Sequence, residues 1–337
     1  MVRVFAAMRD GVEIRTNNDG SWSDTSVKPA ERIECIAVAE TKPNRVFLGT
    51  FDEGILRSLD SGRTFDRIGV ETIEPDAVTS IAIDPNDVEH MLVGTEPSRL
   101  YRSRDGGETW HPVSGLTSVS SSSTWSFPPR PDTHHVRWLA FAPTDPERWY
   151  IGIEAGAFLV TPDAGETWID RPTGSRYDNH WITTHPDAPD RVYAAAGDGY
   201  AESYDRGETW SYPQEGLDHR YVWSVAVDPA DPDCRLVSSA AGARQAHSAG
   251  TADAYVYRRN GTDSWERLQG IPSGSGVTRA VLDRGQAAGA FYAVSNEGIY
   301  YSDDQGDTWE AVPGTWHQRY RTQAARGIAV VPIDTPR

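Results

Sequence analysis

"RSRDGGETWHPV" (residues 102–113) sets an aspartate, two glycines, a threonine and a tryptophan between Asp105 and Trp110. Such a run could be a catalytic loop, a metal loop or a structural turn, and its recurrence decides among them. "RSLDSGRTFDRI" (57–68), "VTPDAGETWIDR" (160–171), "ESYDRGETWSYP" (202–213) and "YSDDQGDTWEAV" (301–312) repeat it. "IRTNNDGSWSDT" (14–25) and "VYRRNGTDSWER" (256–267) are worn copies. The closing aromatics, Trp22, Phe65, Trp110, Trp168, Trp210, Trp265 and Trp309, lie 42 to 58 residues apart. A period of that length signals stacked supersecondary units, none able to bury its faces alone. A motif used seven times is masonry, not one active site.

Residues 77–113 show what one unit contains. "VTSIAID" alternates like a strand and turns at Pro85-Asn86-Asp87, "HMLVGT" is a second strand, and "RLYRSR" is a third. "DGGETW" then makes a tight hairpin into a fourth strand, "TWHPV". In that hairpin the aspartate can accept backbone N–H bonds, the glycine allows positive φ, and the tryptophan buries a large apolar area. A calcium loop would need several spaced oxygen ligands, and most copies offer one carboxylate at the key position.

Four short antiparallel strands, seven times over and without helical periodicity, predict an all-β, seven-bladed β-propeller spanning residues 1–337 as a single domain. First strands are expected at 32–39, 77–84, 135–142, 178–185, 221–228, 277–283 and 324–331. The chain opens on "RVFAAM", a second strand, and closes on "RGIAVVPID", which matches the first strand "TSIAIDPND". Blade 1 is therefore expected to be shared between residues 1–25 and 324–333, so that the C-terminal strand closes the ring and leaves no open edge.

The pattern S-x-D-x-G-x-T-W at Ser58–Phe65, Ser103–Trp110, Ser203–Trp210 and Ser302–Trp309, with a near match at Thr161–Trp168, resembles the Asp-box or BNR repeat. That family includes sialidases, sortilin-type receptors, xyloglucanases and photosystem II assembly factors. The resemblance implies the propeller fold; it implies little about activity, because the box is an architectural turn shared by enzymes and non-enzymes. Sialidases are six-bladed, so the count argues against a plain sialidase, and no F-R-I-P segment is present.

Net charge is −17, and of 32 basic residues only Lys28 and Lys42 are lysines. Acid-rich, lysine-poor surfaces suit solubility at high salt, which suggests a halophilic source. The overall field repels phosphate, so neither nucleic acid nor anionic membrane is an expected partner. No run of 18 apolar residues and no signal-peptide core is present, so a cytoplasmic protein without membrane insertion is expected, and a monomer. Cys35 and Cys234 fall in distant repeats and read as small buried side chains.

Two long insertions, 115–135 before a first strand and 240–254 between a second and a third, should decorate the same face of the ring. His134, His135, His180, His219, His247 and His317 map to that face as well. So do "RYDNHW" (176–181), "DHRYVW" (218–223) and "WHQRYR" (316–321), which bring Trp181, Tyr221 and Arg321. Aligning the first strands places Glu34, Thr79, Arg137, His180, Trp223, Arg279 and Arg326 at one level around the central mouth. Arginine forks there suit carboxylate, sulfate or phosphate. The competing reading is that they pair with Glu34, Asp52, Glu53, Glu96, Glu154 and Glu297.

The reading favoured from sequence is a non-catalytic binding or assembly platform for an anionic small molecule, an acidic sugar or a protein partner, without a cofactor. Its binding residues would include Arg137, Arg279 and Arg326, matched to the arginine-rich patch that the assembly-factor resemblance implies. The alternative is a carbohydrate-active enzyme on an acidic sugar, a hydrolase or a lyase. In that case the three arginines would grip a carboxylate, as the sialidase resemblance implies, while Tyr177, Tyr221, Asp178 or Asp218 supply chemistry. A lyase could use His180 or His219 with a tyrosine as its base. Two carboxylates converging beneath the arginines would favour the enzyme. No metal is expected, because His134, His180, His219 and His247 show no ligand spacing.

Overall fold

The computed structural model describes residues 1–333. Seven antiparallel sheets follow one another, with first strands Gly327–Pro332, Ile33–Val38, Val78–Ile83, Val136–Ala142, Asn179–His185, Tyr221–Asp228 and Val281–Arg284 for blades 1 to 7. Blade 1 runs Gly327–Pro332, Val2–Met8, Gly11–Asn18 and Ser21–Val27, so the C-terminal strand closes the ring with Val2 opposite Pro332 and Ala7 opposite Gly327. Blade 5 has three full strands, its fourth being reduced to a single bridge between Glu202 and Ser211. The blade 7 first strand starts at Val281, later than the expected 277, because the N–H groups of Thr278, Arg279 and Ala280 go to Asn296 Oδ1, the Ala246 carbonyl and Ser238 Oγ instead of a second strand. The only α-helix among the described residues is one short turn, Ala243–His247, in the second insertion.

Burial peaks at the second strand of each blade and falls towards the outer edge. Second strands such as Val46–Thr50 and Met91–Thr95 are buried at every position, whereas outer strands such as Asp66–Ile68 are largely exposed. The Asp-box turn works as its residue types require. Asp60 accepts from Thr64 N–H (2.9 Å) and Thr64 Oγ1 (2.7 Å), and Ser58 Oγ accepts from Gly62 N–H (2.8 Å). Gly62 has φ 84°, a left-handed conformation that costs glycine nothing. The same bonds recur at Asp105, Asp163, Asp205 and Asp304, whose carboxylates are thereby occupied by protein groups.

Innermost strands are sheet edges, and their carbonyl groups need partners. Side chains of the preceding blade supply several. Thr79 Oγ1 donates to the Val136 carbonyl (2.7 Å), Trp138 Nε1 to Ile182 (2.7 Å) and His180 Nδ1 to Val222 (2.7 Å). Ser224 Oγ donates to Ala280 (3.0 Å) and Arg279 Nη1 to Ala325 (2.5 Å). The hub is thus stapled blade to blade, and the staples help fix which side chains can face the central space. No helix among the described residues is long and apolar enough to cross a membrane.

Candidate active site

A cavity of about 780 Å³ opens at one end of the hub. Five of the seven aligned positions line it: Glu34, Thr79, Arg137, Trp223 and Arg326. Both insertions reach it. The first contributes Phe127, Pro128, Pro129 and Arg130; the second contributes Ala243, Arg244, His247 and Ser248. Trp125 anchors the first insertion, buried with Nε1 on Ser121 Oγ (2.9 Å), and Ser121 is itself held by Asp170 (2.6 Å).

His180 and Arg279, expected at the mouth, do not line the cavity. Both are fully buried behind it because each spends a nitrogen as a blade staple. Arg279 stacks on Trp223, with its guanidinium carbon 4.0 Å from the ring, and Arg137 approaches Trp223 as well at 4.6 Å. Of the other expected site residues, His135 and Tyr221 line the cavity. His134 packs edge-on against Trp125, where burial lowers its pKa. Trp181, one residue on from His180, stacks on Trp138 (3.5 Å) and faces a second cavity of about 310 Å³ between the inner strands. His219 pairs with Tyr257 (2.7 Å), and Arg321 with Glu297. Trp181, His219 and Arg321 therefore stand outside the main cavity.

Beneath the arginines two carboxylates converge. Glu154 comes from the loop joining the second and third strands of blade 4, and Asp178 from the entry to blade 5. Ala155, with φ 45°, aims its N–H at Asp178 Oδ1 (2.9 Å), and Gly197 N–H holds the Asp178 carbonyl (2.8 Å). Glu154 Oε2 accepts from His135 Nε2 (2.9 Å) and lies 3.6 Å from Arg137 Nε. His180 Nε2 is 3.6 Å from Asp178 and 4.0 Å from Glu154, too far for a hydrogen bond and without any other partner. Carboxylate oxygens of Glu154 and Asp178 and a nitrogen of His180 all lie within 4.8 Å of one another, a set that could hold a metal ion.

Electrostatics divide the pair. Burial alone would raise the Glu154 pKa, but the His135 hydrogen bond and the charges of His135, His180 and Arg137 outweigh it and hold Glu154 far below the carboxylate range. Burial raises Asp178, and the neighbouring Glu154 charge adds to that against the opposing pull of His180. Burial also lowers His247, whose Nε2 pairs with the Tyr221 hydroxyl (3.0 Å). Around the rim, Arg326 pairs with Glu34 (3.1 Å), Arg32 with Asp52 (3.2 Å) and Arg130 with Glu96 (2.6 Å). Part of the ring is therefore ion-pair architecture. Even so, six arginines line the cavity (9, 32, 130, 137, 244 and 326) against four carboxylates (34, 96, 154 and 178), a local excess of positive charge in an acidic protein.

Sequence reasoning had not singled out Arg9, Arg32, Arg130, Arg244, Phe51 or Phe127. For Arg130, Phe127 and Arg244 a signal existed: they sit in the two oversized insertions.

The BNR/Asp-box repeat pattern matches at residues 101–112 and 300–311. The chain is an Asp-box-repeat β-propeller. It is similar to xyloglucanase Xgh74A of Acetivibrio thermocellus, 25% identical over 283 residues, which cover 70% of this chain and 32% of that protein. It spans about a third or less of the length of the curated relatives it matches. Among solved structures, the GH74 enzyme of Niastella koreensis superposes with TM-score 0.65 at 18% identity, over 94% of this chain and 54% of that one. YCF48 of Cyanidioschyzon merolae superposes with TM-score 0.57 at 15% identity, over 83% and 85%. At those identities the likeness is one of fold.

These findings correct the platform reading. The curated relatives of the Asp-box propeller are xyloglucanases, and the paired carboxylates are what a hydrolytic site requires and a flat rim for docking does not.

Proposed function

We propose that the protein is a glycoside hydrolase that takes an acidic oligosaccharide in the hub cavity and reacts at Glu154 and Asp178. The carrying observation is the convergence of these two carboxylates beneath Arg137, inside a cavity large enough for a few sugar rings. Asp178 accepts one backbone N–H and has no cationic hydrogen-bond partner, so it suits the role of proton donor to the leaving oxygen. Glu154, bonded to His135 and beside Arg137, suits the ionised role at the anomeric carbon. One oxygen of each carboxyl lies within 4.8 Å of the other, which suits a retaining reaction, with carboxyl groups ~5–5.5 Å apart, better than an inverting one, which leaves room for water at ~6.5–9.5 Å. Glu154 would form the glycosyl bond as the leaving oxygen takes the Asp178 proton. Water deprotonated by Asp178 would then release the sugar.

The acidic substrate is supported by guanidinium groups with N–H to spare. Arg9, Arg137 and Arg244 line the cavity, and the Arg9 and Arg244 guanidinium groups make no ion pair among the described residues. A uronate carboxylate or a sulfate would satisfy them.

The test is reducing-sugar release from a panel of neutral xyloglucan fragments, oligouronides and sulfated oligosaccharides, by wild type and by Glu154→Gln. Turnover of an acidic member, cut at least 1000-fold in the variant, is expected. Equal turnover by the two proteins, or turnover of none of the panel, would overturn the reading.

A further inference from the structure

We infer that Glu154, Asp178 and His180 form a site for one divalent transition-metal ion in the wall of the hub cavity. The site is built on the same two carboxylates as the hydrolytic reading, so an ion seated there would hold Glu154 and Asp178 away from a sugar; its binding does not depend on that reading.

The geometry is that of ligands already oriented by their neighbours. On each of the three side chains one polar atom is held by protein, and another faces the common point. Glu154 Oε2 is held by His135 Nε2 (2.9 Å), leaving Oε1 free. Asp178 Oδ1 is held by the Ala155 N–H (2.9 Å), leaving Oδ2 free. His180 Nδ1 lies 2.7 Å from the Val222 carbonyl. A carbonyl can only accept, so Nδ1 carries a proton and Nε2 is the ring nitrogen left to face the carboxylates. This is how metal-bound histidines are held: the distal nitrogen donates to a carbonyl, which fixes tautomer and ring orientation.

The second observation is independent of the acidic groups. His180 is fully buried, and its Nε2 has no hydrogen-bond partner. A buried polar atom without a partner is costly and rare. The Nε2 atom faces the two carboxylates, at 3.6 and 4.0 Å. Tetrahedral ligands of one ion at ~2.1 Å stand about 3.4 Å apart, so side-chain shifts of about 1 Å would gather the set. Two carboxylates balance the charge of a divalent ion. Arg137 lies on the far side of Glu154, 3.6 Å from the oxygen already bonded to His135. One imidazole with two carboxylates suits zinc or manganese better than magnesium or calcium, whose sites are built from oxygen alone.

The test is calorimetric titration of EDTA-treated, dialysed protein with zinc or manganese chloride, with no sugar present. One ion per chain is expected, with affinity at least tenfold weaker in His180→Gln and in Asp178→Asn, and unchanged in His219→Gln. Circular dichroism and melting establish that each variant keeps the ring. Should His180→Gln not fold, Asp178→Asn, whose side chain is partly exposed, carries the comparison. No binding by wild type, or wild-type affinity in the folded variants, would overturn the inference. Because turnover is not read, failure here and failure of the hydrolytic reading are separate results.

Discussion

Asp178 owes its place to a residue without a side chain. A Cβ built on Gly197 would sit 1.9 Å from Asp178 Oδ2 and 3.2 Å from His180 Cε1. Gly197→Ala should therefore swing the carboxylate away from Glu154. The clashing atom is the end of a flexible side chain, so the fold should absorb the change while the site does not. At least a tenfold loss of turnover, with a melting temperature within ~3 °C of wild type, is expected. Unchanged turnover would show that Asp178 need not stand where it does. At this scale the sequence was only partly legible. Aligning blades groups His180 and Arg279 with the hub positions but does not give their direction, since each spends a nitrogen on the carbonyl of the next blade. Glu154 and Asp178 are named there separately, yet they lie 24 positions apart, and no spacing rule links a loop of one blade to the entry of the next.

Among the elements, the Asp-box hairpin was the most legible, because its function is local. Its aspartate, glycine and threonine bond to one another, so their spacing in sequence is their geometry in space. Burial alone would raise the Asp105 pKa; bonds from Thr109 and Ser103 outweigh it and hold it at about 2. A carboxylate depressed in the folded state stabilises above its unfolded value of 3.8, and that contribution fades as pH falls through about 2. Asp105→Asn should cost roughly 1 kcal/mol at neutral pH, discounted because the group faces water. Urea titrations at pH 7 and at successively lower pH should show this deficit shrinking below pH 3.8. A deficit that stays constant with pH would contradict the role given to the ionised carboxylate.

Across the whole molecule, ring closure follows from two strand signatures at opposite ends of the chain, which is why it could be read before any coordinates. Pairing of Val2–Met8 with Gly327–Pro332 covers an edge whose residues Val4 to Met8 are buried. Ending the chain at Ala325 should expose that edge and replace one cooperative melting transition with aggregation. A monomeric protein with the wild-type melting temperature would contradict closure as a source of stability. The charge of −17 acts at the same scale. Self-repulsion among surface carboxylates is screened as salt rises, so melting temperature should climb between roughly 0.1 M and 2 M potassium chloride. A flat response would remove the argument for a high-salt protein.

What the wheel accomplishes is to bring a carboxylate from blade 4 and another from blade 5 under arginines from blades 1 and 4. The most direct test is the turnover number of Asp178→Asn beside wild type, on whichever acidic oligosaccharide the wild type cleaves fastest. A fall of at least 100-fold, with the melting transition kept, is the result that this arrangement predicts. Turnover within twofold of wild type would show that the chemistry lies elsewhere on the propeller.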